Sequence, residues 1–406
     1  MNVNNFSINN FDVDYDTTRC NRAKLDTGFH CNYKCEFCYY IDKLDVKTPF
    51  STIQQRINIL HKYGISEVDL SGGESSIHKD WFKILDYCNE RFDNISCLSN
   101  GSAFANEKFL LKSKEHGLKE ILFSLHGYNE EVHDDIVGRK NGWKKIHKAI
   151  NLCKKHDIKV RINCTVYQKN YKGLVEYADI IKEIQPFQVN FLTLNYWDDN
   201  KTFEPIDDYT GLTDKIKQCI DLIVNDTKYI NVRYTPYCYM KGYEKYVCNQ
   251  YQHVYDIYDW NKEIYDYDVD LTKTYTEKEK IDLGYLKAQD GRIDGCKKPI
   301  KCLRCKYFNI CDGIEKQLDI EVYPEKGDKI TDMKCSYCIE GFGNSDFLKT
   351  CDFKSNKIKQ ESYKKVLKIL NIKRVPKFNI ELLGGEPTLH PQFNYILESL
   401  TSIEQC

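Results

Sequence analysis

Short apolar runs alternate with stretches of helical periodicity between residues 24 and 195. Alternation of this kind predicts repeated βα units around a parallel sheet. Six strand-like runs are visible, at Leu25–His30, Glu67–Ser71, Ile95–Leu98, Glu120–Leu125, Lys159–Val166 and Gln188–Leu194. Between them, apolar residues recur at helical spacing, as in Thr52–Lys62, Trp81–Arg91, Trp143–His156 and Leu174–Glu183.

Right-handed crossovers would curl the six strands into an open barrel. We therefore predict an α/β fold with a partial (βα)6 TIM-like barrel at residues 20–200. Residues 201–330 are predicted to form an aromatic-rich extension, and residues 331–406 a short α/β tail. In barrels of parallel strands, the reacting groups lie on the loops that leave the C-terminal ends of the strands. The functional residues are expected on those loops.

The length and charge of the chain exclude several kinds of partner. At 406 residues it is long enough for two or more domains. Its 59 Lys and Arg nearly balance 60 Asp and Glu, for a net charge of -1, so no global field draws it to nucleic acid. Residues 1–14 lack the features of a signal peptide, and no apolar run reaches 18 residues. We expect a cytoplasmic protein with neither a nucleic-acid nor a membrane partner.

The 19 cysteines are unusual, because a reducing cytosol does not preserve structural disulfides. Clustered cysteines are therefore first interpreted as metal ligands. An isolated cysteine is usually a small apolar core residue. That second interpretation applies to Cys20, Cys88, Cys97, Cys153, Cys164, Cys219, Cys248, Cys351 and Cys406.

The first cysteine group is a CxxxCxxC motif directly after the first predicted strand, formed by Cys31, Cys35 and Cys38. Three thiolates hold three irons of a four-iron four-sulfur cubane and leave the fourth iron open to chelate a substrate. A closed electron-transfer cluster would need a fourth protein ligand. Two alternatives stay open at this point: a zinc site with three cysteines, and a cluster with a remote fourth ligand.

Polar residues follow several of the other predicted strands. The second strand leads into Gly72-Gly73-Glu74, where two glycines allow a ligand to approach exposed backbone amides. An ordinary tight turn is the alternative. Because a barrel interior is otherwise expected to be apolar, polar residues at successive strand ends indicate a site. The further candidates are Ser99, Ser124, Arg139 and Asn163. Arg139 is placed either to fork onto a carboxylate or to be a solvated surface charge.

The CxxxCxxC motif followed by the Gly72-Gly73-Glu74 loop strongly resembles the radical SAM superfamily, and the resemblance extends as far as Leu194. It implies that the open iron binds the amino and carboxylate groups of S-adenosylmethionine. It also implies that an electron delivered to the cluster breaks the sulfonium carbon bond. The resulting 5′-deoxyadenosyl radical takes a hydrogen atom from a substrate.

The same resemblance implies a set of contacts to S-adenosylmethionine. The loop from Gly72 to Glu74 would contact the methionine amino group, with Ser99 at the neighbouring strand end. The carboxylate or the ribose would be contacted by Ser124, Arg139 and Asn163. Tyr39 or Tyr40, beside the last cluster ligand, occupies the place of an aromatic residue that touches adenine, and Tyr40 is the candidate.

The second cysteine group consists of Cys296, Cys302, Cys305 and Cys311. Four thiolates suffice for a complete cubane or for tetrahedral zinc, and spacing alone does not separate the two. The run from Cys302 to Gly313 resembles the auxiliary cluster region of radical SAM enzymes with twitch or SPASM extensions. Because too few cysteines follow for a full SPASM pattern, the resemblance implies a single auxiliary 4Fe-4S cluster. Its fourth ligand is Cys296, slightly preferred, or the distant Cys238.

Residues 331–406 repeat the two leading motifs in order, as Cys335-Ser336-Tyr337-Cys338 and Gly384-Gly385-Glu386. Thr331 stands where the first ligand of a second CxxxCxxC would be. The segment resembles the opening of a second radical SAM domain, degenerate and cut short, and two thiolates are a poor cubane site. Three accounts stay open: a truncated pseudo-domain, a docking platform, and a segment whose natural partner segment was removed. A zinc ribbon that joins Cys335 and Cys338 to the second group has a long spacing.

We therefore expect a radical SAM oxidoreductase or radical transferase that receives electrons from a reductant such as flavodoxin or ferredoxin. The aromatic-rich segment from Asn195 to Tyr285 would cover the barrel mouth or simply pack as an extension. The substrate would be a carbohydrate or nucleotide-sugar, or a peptide modified during natural-product maturation. No recognisable peptide-binding module precedes Cys31, which favours a small molecule. A non-catalytic iron-sulfur or zinc scaffold is the third hypothesis.

Overall fold

The fold is built on one parallel sheet. The computed structural model describes residues 21–62, 64–195 and 206–249, and shorter stretches at 262–264, 295–299, 301–302, 305–308, 311–318, 320–323, 351–352 and 357–358. The strands are β1 (Arg22–Asp26), β2 (Glu67–Ser71), β3 (Asn94–Ser99), β4 (Leu118–Ser124), β5 (Lys159–Val166), β6 (Gln188–Thr193), β7 (Tyr229–Arg233), β8 (Val247–Cys248) and β9 (Lys262–Ile264). Their order is β8-β7-β6-β5-β4-β3-β2-β1-β9, and every neighbouring pair is parallel.

Helices follow each strand from β1 to β6 and return the chain to the neighbouring strand. They are α1 (Phe50–Lys62), α2 (Trp81–Asn89), α3 (Glu107–Glu115), α4 (Glu130–Ile136), α5 (Gly142–Lys155), α6 (Leu174–Ile184) and α7 (Tyr209–Ile223). Repeated crossovers between adjacent parallel strands produce a curled half-barrel. The predicted α/β fold with a partial TIM-like barrel is therefore confirmed.

The barrel has more strands than the six predicted, and its first strand ends earlier. β1 stops at Asp26, because the chain beyond it pairs with a returning loop instead: the Phe29 amide donates to the Val46 carbonyl at 3.1 Å. The strands β7, β8 and β9 were not predicted. β7 has five residues and β8 two, and both lie in the segment that was interpreted as an aromatic extension.

The outer face of the sheet forms the hydrophobic core with the helices. Alternate strand residues such as Leu25, Val68, Ile121, Ile162 and Phe191 are completely buried in one cluster with apolar side chains of the helices. Helices α3 and α4, which are nine and seven residues long, were not predicted. Each nevertheless begins at an asparagine whose side chain accepts a backbone hydrogen bond, which is a common N-terminal cap.

The inner face of the sheet carries buried charges, so the expectation of an otherwise apolar interior was wrong. Arg22 on β1 lies 2.6 Å from Asp69 on β2 and 3.3 Å from Glu120 on β4. Arg161 on β5 lies 3.4 Å from Asp69 and 3.6 Å from Glu120. All four side chains are almost completely buried. Burial by itself raises the pKa of Glu120, but the two arginines lower it below its ordinary value.

The remaining described segments are short. β10 (Cys296–Lys297) pairs antiparallel with β11 (Ile314–Glu315). The chain divides into two compact units, residues 8–326 and residues 1–7 with 327–406. In the second unit the described residues form an antiparallel pair, β12 (Cys351–Asp352) and β13 (Lys357–Ile358). No helix in the described residues has the length and apolar character needed to cross a membrane. The domain boundaries at 200 and 330 stay a prediction.

Candidate active site

The loop that carries Cys31, Cys35 and Cys38 leaves the C-terminal end of β1 and is anchored on both sides. The Lys34 amide donates to the carbonyl of Val137, the C-terminal cap of helix α4, at 3.2 Å. The Glu36 amide donates to the carbonyl of Ile136, the last residue of α4, at 3.0 Å. The Cys31 amide donates to the Leu44 carbonyl at 3.2 Å. Because these bonds hold the loop at several points, the positions of the three thiols are set by the surrounding fold.

The three thiols lie half-buried beside a small apolar cluster. Cys31 and Cys35 pack against this cluster, which consists of Tyr33, Ile136, Val137, Tyr167 and Leu194. Burial raises the pKa of Cys31 to about 12, and it raises the pKa of Cys35 together with the neighbouring thiols Cys38 and Cys31. The thiols of Cys31 and Cys35 ionise only against the cost of burial, and a cationic metal centre would stabilise their thiolates. The donor set therefore fits an iron-sulfur cluster.

The Gly72-Gly73-Glu74 loop packs against the backbone that leads to Cys31. The amides of Gly73 and Glu74 donate to the carbonyls of Gly28 and His30, at 2.8 and 2.9 Å. A Cβ on Gly72 would lie 2.1 Å from the Gly28 oxygen, and a Cβ on Gly73 would lie 2.2 Å from the His30 oxygen. The glycines are thus required by a close approach of two protein segments. The amides of Gly73 and Glu74 are bonded to protein carbonyls, and the expected contact of the loop with a ligand stays a prediction.

Glu74 is a buried hub between the ends of β2 and β3. Its carboxylate accepts hydrogen bonds from the Ser76 hydroxyl, from the Ser99 hydroxyl at 2.8 Å and from the Asn100 amide at 2.7 Å. Burial raises the pKa of Glu74, although these three hydrogen bonds act in the opposite direction. The Ser99 hydroxyl also accepts from the Gly101 amide at 2.9 Å. Glu74 and Ser99 are therefore engaged with each other in the structure.

The Asn100 side chain extends this hub to the cysteine loop. Its Nδ2 donates to Asn32 Oδ1 at 2.8 Å and lies 4.0 Å from the Cys31 sulfur. The Cys31 sulfur also accepts from the Tyr33 amide at 3.4 Å. Sequence reasoning missed Asn32 as a site residue, and it assigned no contact to Asn100, which follows Ser99 at a polar strand end. The only signal was the position of Asn100 directly after β3, and its partners depend on contacts between distant segments.

Ser124 and Asn163 are brought together on the inner face of the sheet. They are paired in register on β4 and β5, and both are half-buried. Asn163 Oδ1 accepts from the side chain of Asn190, at the same level of β6, at 2.7 Å. Sequence reasoning missed Asn190, because nothing in its local sequence separates it from the other strand residues.

The aromatic and cationic candidates lie near the cysteine loop but in different settings. The Tyr40 hydroxyl donates to Asp26 Oδ2 at 2.9 Å, and the Tyr40 ring lies 4.6 Å from that of Phe29. Tyr39 is exposed. Arg139 is exposed on the turn between α4 and α5, with no ion pair to the described residues, and its charge lowers the pKa of Tyr33, which burial raises to about 12 overall.

A buried histidine also lies next to the loop. His126 Nδ1 accepts from the Thr165 amide at 3.1 Å, which places the imidazole proton on Nε2. Its ring contacts the Phe37 ring edge-on, with 4.9 Å between centroids. Burial lowers the pKa of His126 to about 3, so this imidazole is neutral at physiological pH.

The second cysteine group forms a cavity that includes Cys238. The cavity is lined by Cys238, Cys302, Cys305 and Cys311, with Tyr237 and Phe308 among its other walls. Burial raises the pKa of Cys311 to about 12 and that of Cys302 to about 11, and the nearby Cys238 thiol acts in the same direction on both. Cys296 lies on β10 and does not line the cavity. The structure therefore favours Cys238 over Cys296 as the fourth thiol.

Neither cysteine group resembles a compact site for one ion. In the part of the chain that the structure describes, no three His, Cys, Asp or Glu side chains are arranged to hold a single metal ion. The zinc and the iron-sulfur interpretations of both cysteine groups stay predictions. Cys335, Cys338 and Gly384–Glu386 lie outside the described residues, as does most of the aromatic segment, so the interpretations of the tail, of a zinc ribbon and of a cover stay predictions.

Comparisons with known proteins agree with the position of the cysteine loop. A family model described as the radical SAM superfamily matches residues 26–181. The antilisterial bacteriocin subtilosin biosynthesis protein AlbA of Bacillus subtilis (strain 168) is 29% identical over 180 residues, which are 44% of this chain and 39% of that protein. The S-adenosylmethionine-dependent nucleotide dehydratase RSAD2 of Oncorhynchus mykiss is 28% identical over 164 residues, 38% of this chain and 46% of that protein.

The similarity to a solved structure covers more of the chain than the family model does. The crystal structure of Streptococcus suis SuiB bound to precursor peptide SuiA is similar with a TM-score of 0.55 and 16% identity, and the similarity covers 73% of this chain and 72% of that one. This similarity shows a shared fold. The chain spans less than half the length of the two curated relatives named above.

Proposed function

We propose that this chain is a radical SAM enzyme that holds a 4Fe-4S cluster on Cys31, Cys35 and Cys38 and cleaves S-adenosylmethionine reductively, since the family model of the radical SAM superfamily matches residues 26–181. When bound, the cluster supplies the electron that breaks a sulfonium carbon bond, and the 5′-deoxyadenosyl radical so formed takes a hydrogen atom from the substrate. The observation that carries the proposal is the set of three half-buried thiols on one anchored loop.

The surrounding residues support this chemistry by holding the ligands and excluding water. The hub at Glu74 orients Asn100, whose side chain lies beside the Cys31 sulfur. Donors to a ligand sulfur also tune the potential of an iron-sulfur cluster. The apolar cluster around Tyr33 and Tyr167 shields Cys31 and Cys35 from solvent on one side. The proposed contacts of Gly72, Gly73, Glu74, Ser99, Ser124, Arg139, Asn163 and Tyr40 to S-adenosylmethionine rest on the family resemblance.

The first test measures 5′-deoxyadenosine released by anaerobically reconstituted protein that is supplied with S-adenosylmethionine and dithionite. Cys35→Ala is expected to abolish the product. Cys88→Ala makes the same chemical change at a fully buried cysteine of α2 and is expected to leave the product in place. Wild-type protein that carries its full iron and releases no product would contradict the proposal and favour the non-catalytic scaffold.

We propose further that Cys238, Cys302, Cys305 and Cys311 hold an auxiliary 4Fe-4S cluster. The shared cavity of these four thiols supports this choice. After reconstitution, the wild type should contain about eight irons per chain, and Cys238→Ala about four. Cys296→Ala is the matched control, and it should keep the full iron content. If Cys296→Ala instead loses iron and Cys238→Ala does not, the ligand assignment is wrong while the first cluster is unaffected.

We propose a peptide as the substrate class, which replaces the small molecule favoured by the sequence. Two proteins named above support it: one belongs to bacteriocin biosynthesis, and the other is bound to a precursor peptide. A nucleotide is the second candidate, because another relative is a nucleotide dehydratase. The sugar hypothesis stays untested.

Substrate classes can be compared by the hydrogen atom that reaches 5′-deoxyadenosine. Deuterated peptides and deuterated nucleoside triphosphates would each be supplied to the reconstituted enzyme with flavodoxin or ferredoxin as reductant. Deuterium in 5′-deoxyadenosine is expected from a peptide. Transfer from a nucleotide alone would reject the peptide and leave the cleavage reaction intact.

A further inference from the structure

Four polar side chains form a row across the inner face of the barrel. Ser124 on β4 pairs in register with Asn163 on β5, which pairs with Asn190 on β6, which pairs with Asn231 on β7. Their sequence neighbours, such as Phe123, Ile162 and Val189, are buried in the core on the helical side of the sheet. Because successive strand residues point to opposite faces, the row faces the concave side.

The asparagines of the row are linked by hydrogen bonds that run in one direction. Asn231 Nδ2 donates to Asn190 Oδ1 at 3.3 Å, and Asn190 Nδ2 donates to Asn163 Oδ1 at 2.7 Å. Asn190 is 3% exposed, so it cannot exchange these partners for water. In the structure the amide oxygen of Asn190 lies toward β7 and its NH2 group toward β5.

The orientation of Asn190 decides what Asn163 can offer to a ligand. Since Asn163 Oδ1 already accepts from Asn190, the group that remains is the Asn163 NH2, which is a donor only. The neighbouring Ser124 hydroxyl makes no hydrogen bond to the described residues and can donate as well. Two adjacent donors at this level of the barrel suit an acceptor such as a carboxylate.

We propose that Asn190 is a positioning residue that fixes the Asn163 amide so that its NH2 group, beside the Ser124 hydroxyl, binds the carboxylate of S-adenosylmethionine. This inference rests on the proposed function and deepens it. It names Asn190 as a residue that supports the carboxylate subsite and that no local motif reveals. Asn231 holds Asn190 from the other side. If the Asn190 amide were reversed, its oxygen would face Asn163 Oδ1. Only a matching turn of the Asn163 amide would restore the hydrogen bond, and that turn would point the Asn163 oxygen toward the ligand.

The test is a double-mutant cycle on the affinity for S-adenosylmethionine. Binding to reconstituted protein would be measured by equilibrium dialysis for the wild type, Asn163→Ala, Asn190→Ala and the double variant. Each single substitution is expected to weaken binding about tenfold, the size of one hydrogen bond to a charged group. Because Asn190 acts through Asn163, the double variant should bind no more weakly than Asn163→Ala.

A second ligand separates positioning from a general loss of structure. Decarboxylated S-adenosylmethionine lacks the carboxylate, so its affinity should be unchanged in both single variants. Asn58→Ala, an exposed residue of α1, is the control for the substitution and should bind both ligands like the wild type. Asn190→Leu, which retains a side chain of similar shape, replaces Asn190→Ala if the alanine variant unfolds.

The outcomes distinguish this inference from the proposed function. Additive losses in the double variant, equal losses for the two ligands, or unchanged binding in Asn190→Ala would each overturn the role of Asn190 while cleavage by the wild type stands. Wild-type protein that binds no S-adenosylmethionine and releases no 5′-deoxyadenosine would overturn both.

Discussion

Glu74→Ala removes the acceptor of three buried donors at once, and we expect it to destabilise the protein strongly. The donors are the hydroxyls of Ser76 and Ser99 and the amide of Asn100. A buried donor without a partner costs about 1–3 kcal/mol. The two hydroxyls can turn toward other acceptors, whereas the backbone amide cannot. The expected loss is about 3–5 kcal/mol, out of a total stability of about 5–15 kcal/mol for a domain.

Glu74→Gln separates the hydrogen bonds from the charge. The glutamine oxygen can accept from the Asn100 amide, and its NH2 group can donate to the two hydroxyls after they rotate. At pH 7 we expect a change below about 1 kcal/mol. Because the folded-state pKa of Glu74 is raised, its contribution is present below the ordinary carboxyl pKa and is lost as the pH rises through the folded pKa. Glu74→Gln should therefore gain stability relative to the wild type over that window.

The assay is urea unfolding of the protein between pH 5 and pH 8 under anaerobic, reducing conditions, followed by circular dichroism. Iron content after reconstitution is measured on the same samples, because Asn100 should no longer be held beside Cys31 in Glu74→Ala. Glu90→Ala, at an exposed carboxylate after α2, is the matched control. A loss below about 1 kcal/mol with full iron in Glu74→Ala would refute the hub. Equal losses in both Glu74 variants would show that the charge is what matters.

Three further predictions follow from buried groups elsewhere in the barrel. Burial lowers the pKa of His126 and His133 to about 3, so the stability that they contribute is present above their ordinary pKa and is lost as the pH falls. At pH 5 we expect a loss of about 2 kcal/mol for each histidine. In urea titrations at that pH, His133→Gln should recover about half of the combined loss. Gly73→Ala places a Cβ 2.2 Å from a carbonyl oxygen and should lower both the unfolding midpoint and the iron content, and normal values for both would contradict the close approach. Arg161→Met removes one of the two arginines that face Asp69 and Glu120, while Arg22 stays in contact with both carboxylates. The loss of this buried charge pair should cost about 3–5 kcal/mol, part of which Asp69→Asn in the same chain should restore if the pair is responsible.

The sequence by itself determined the elements whose signal is local. The strands at Glu67–Ser71 and Lys159–Val166 begin and end where their apolar patterns do, and the parallel half-barrel follows from their alternation with helices. The CxxxCxxC motif and the Gly72-Gly73-Glu74 loop indicated the radical SAM superfamily, because both are short patterns of neighbouring residues that are visible without the fold.

Tertiary structure decided every feature that depends on which distant residues meet. The charges at Arg22 and Asp69 lie in the barrel interior, although 47 positions separate them along the chain, because sheet register brings them together. Register likewise aligns Asn163 with Asn190, and the fold of the extension brings Cys238, and not Cys296, to the cavity of Cys302. Spacing and periodicity describe neighbours in the chain, whereas the support of this site consists of hydrogen bonds and packing between neighbours in space.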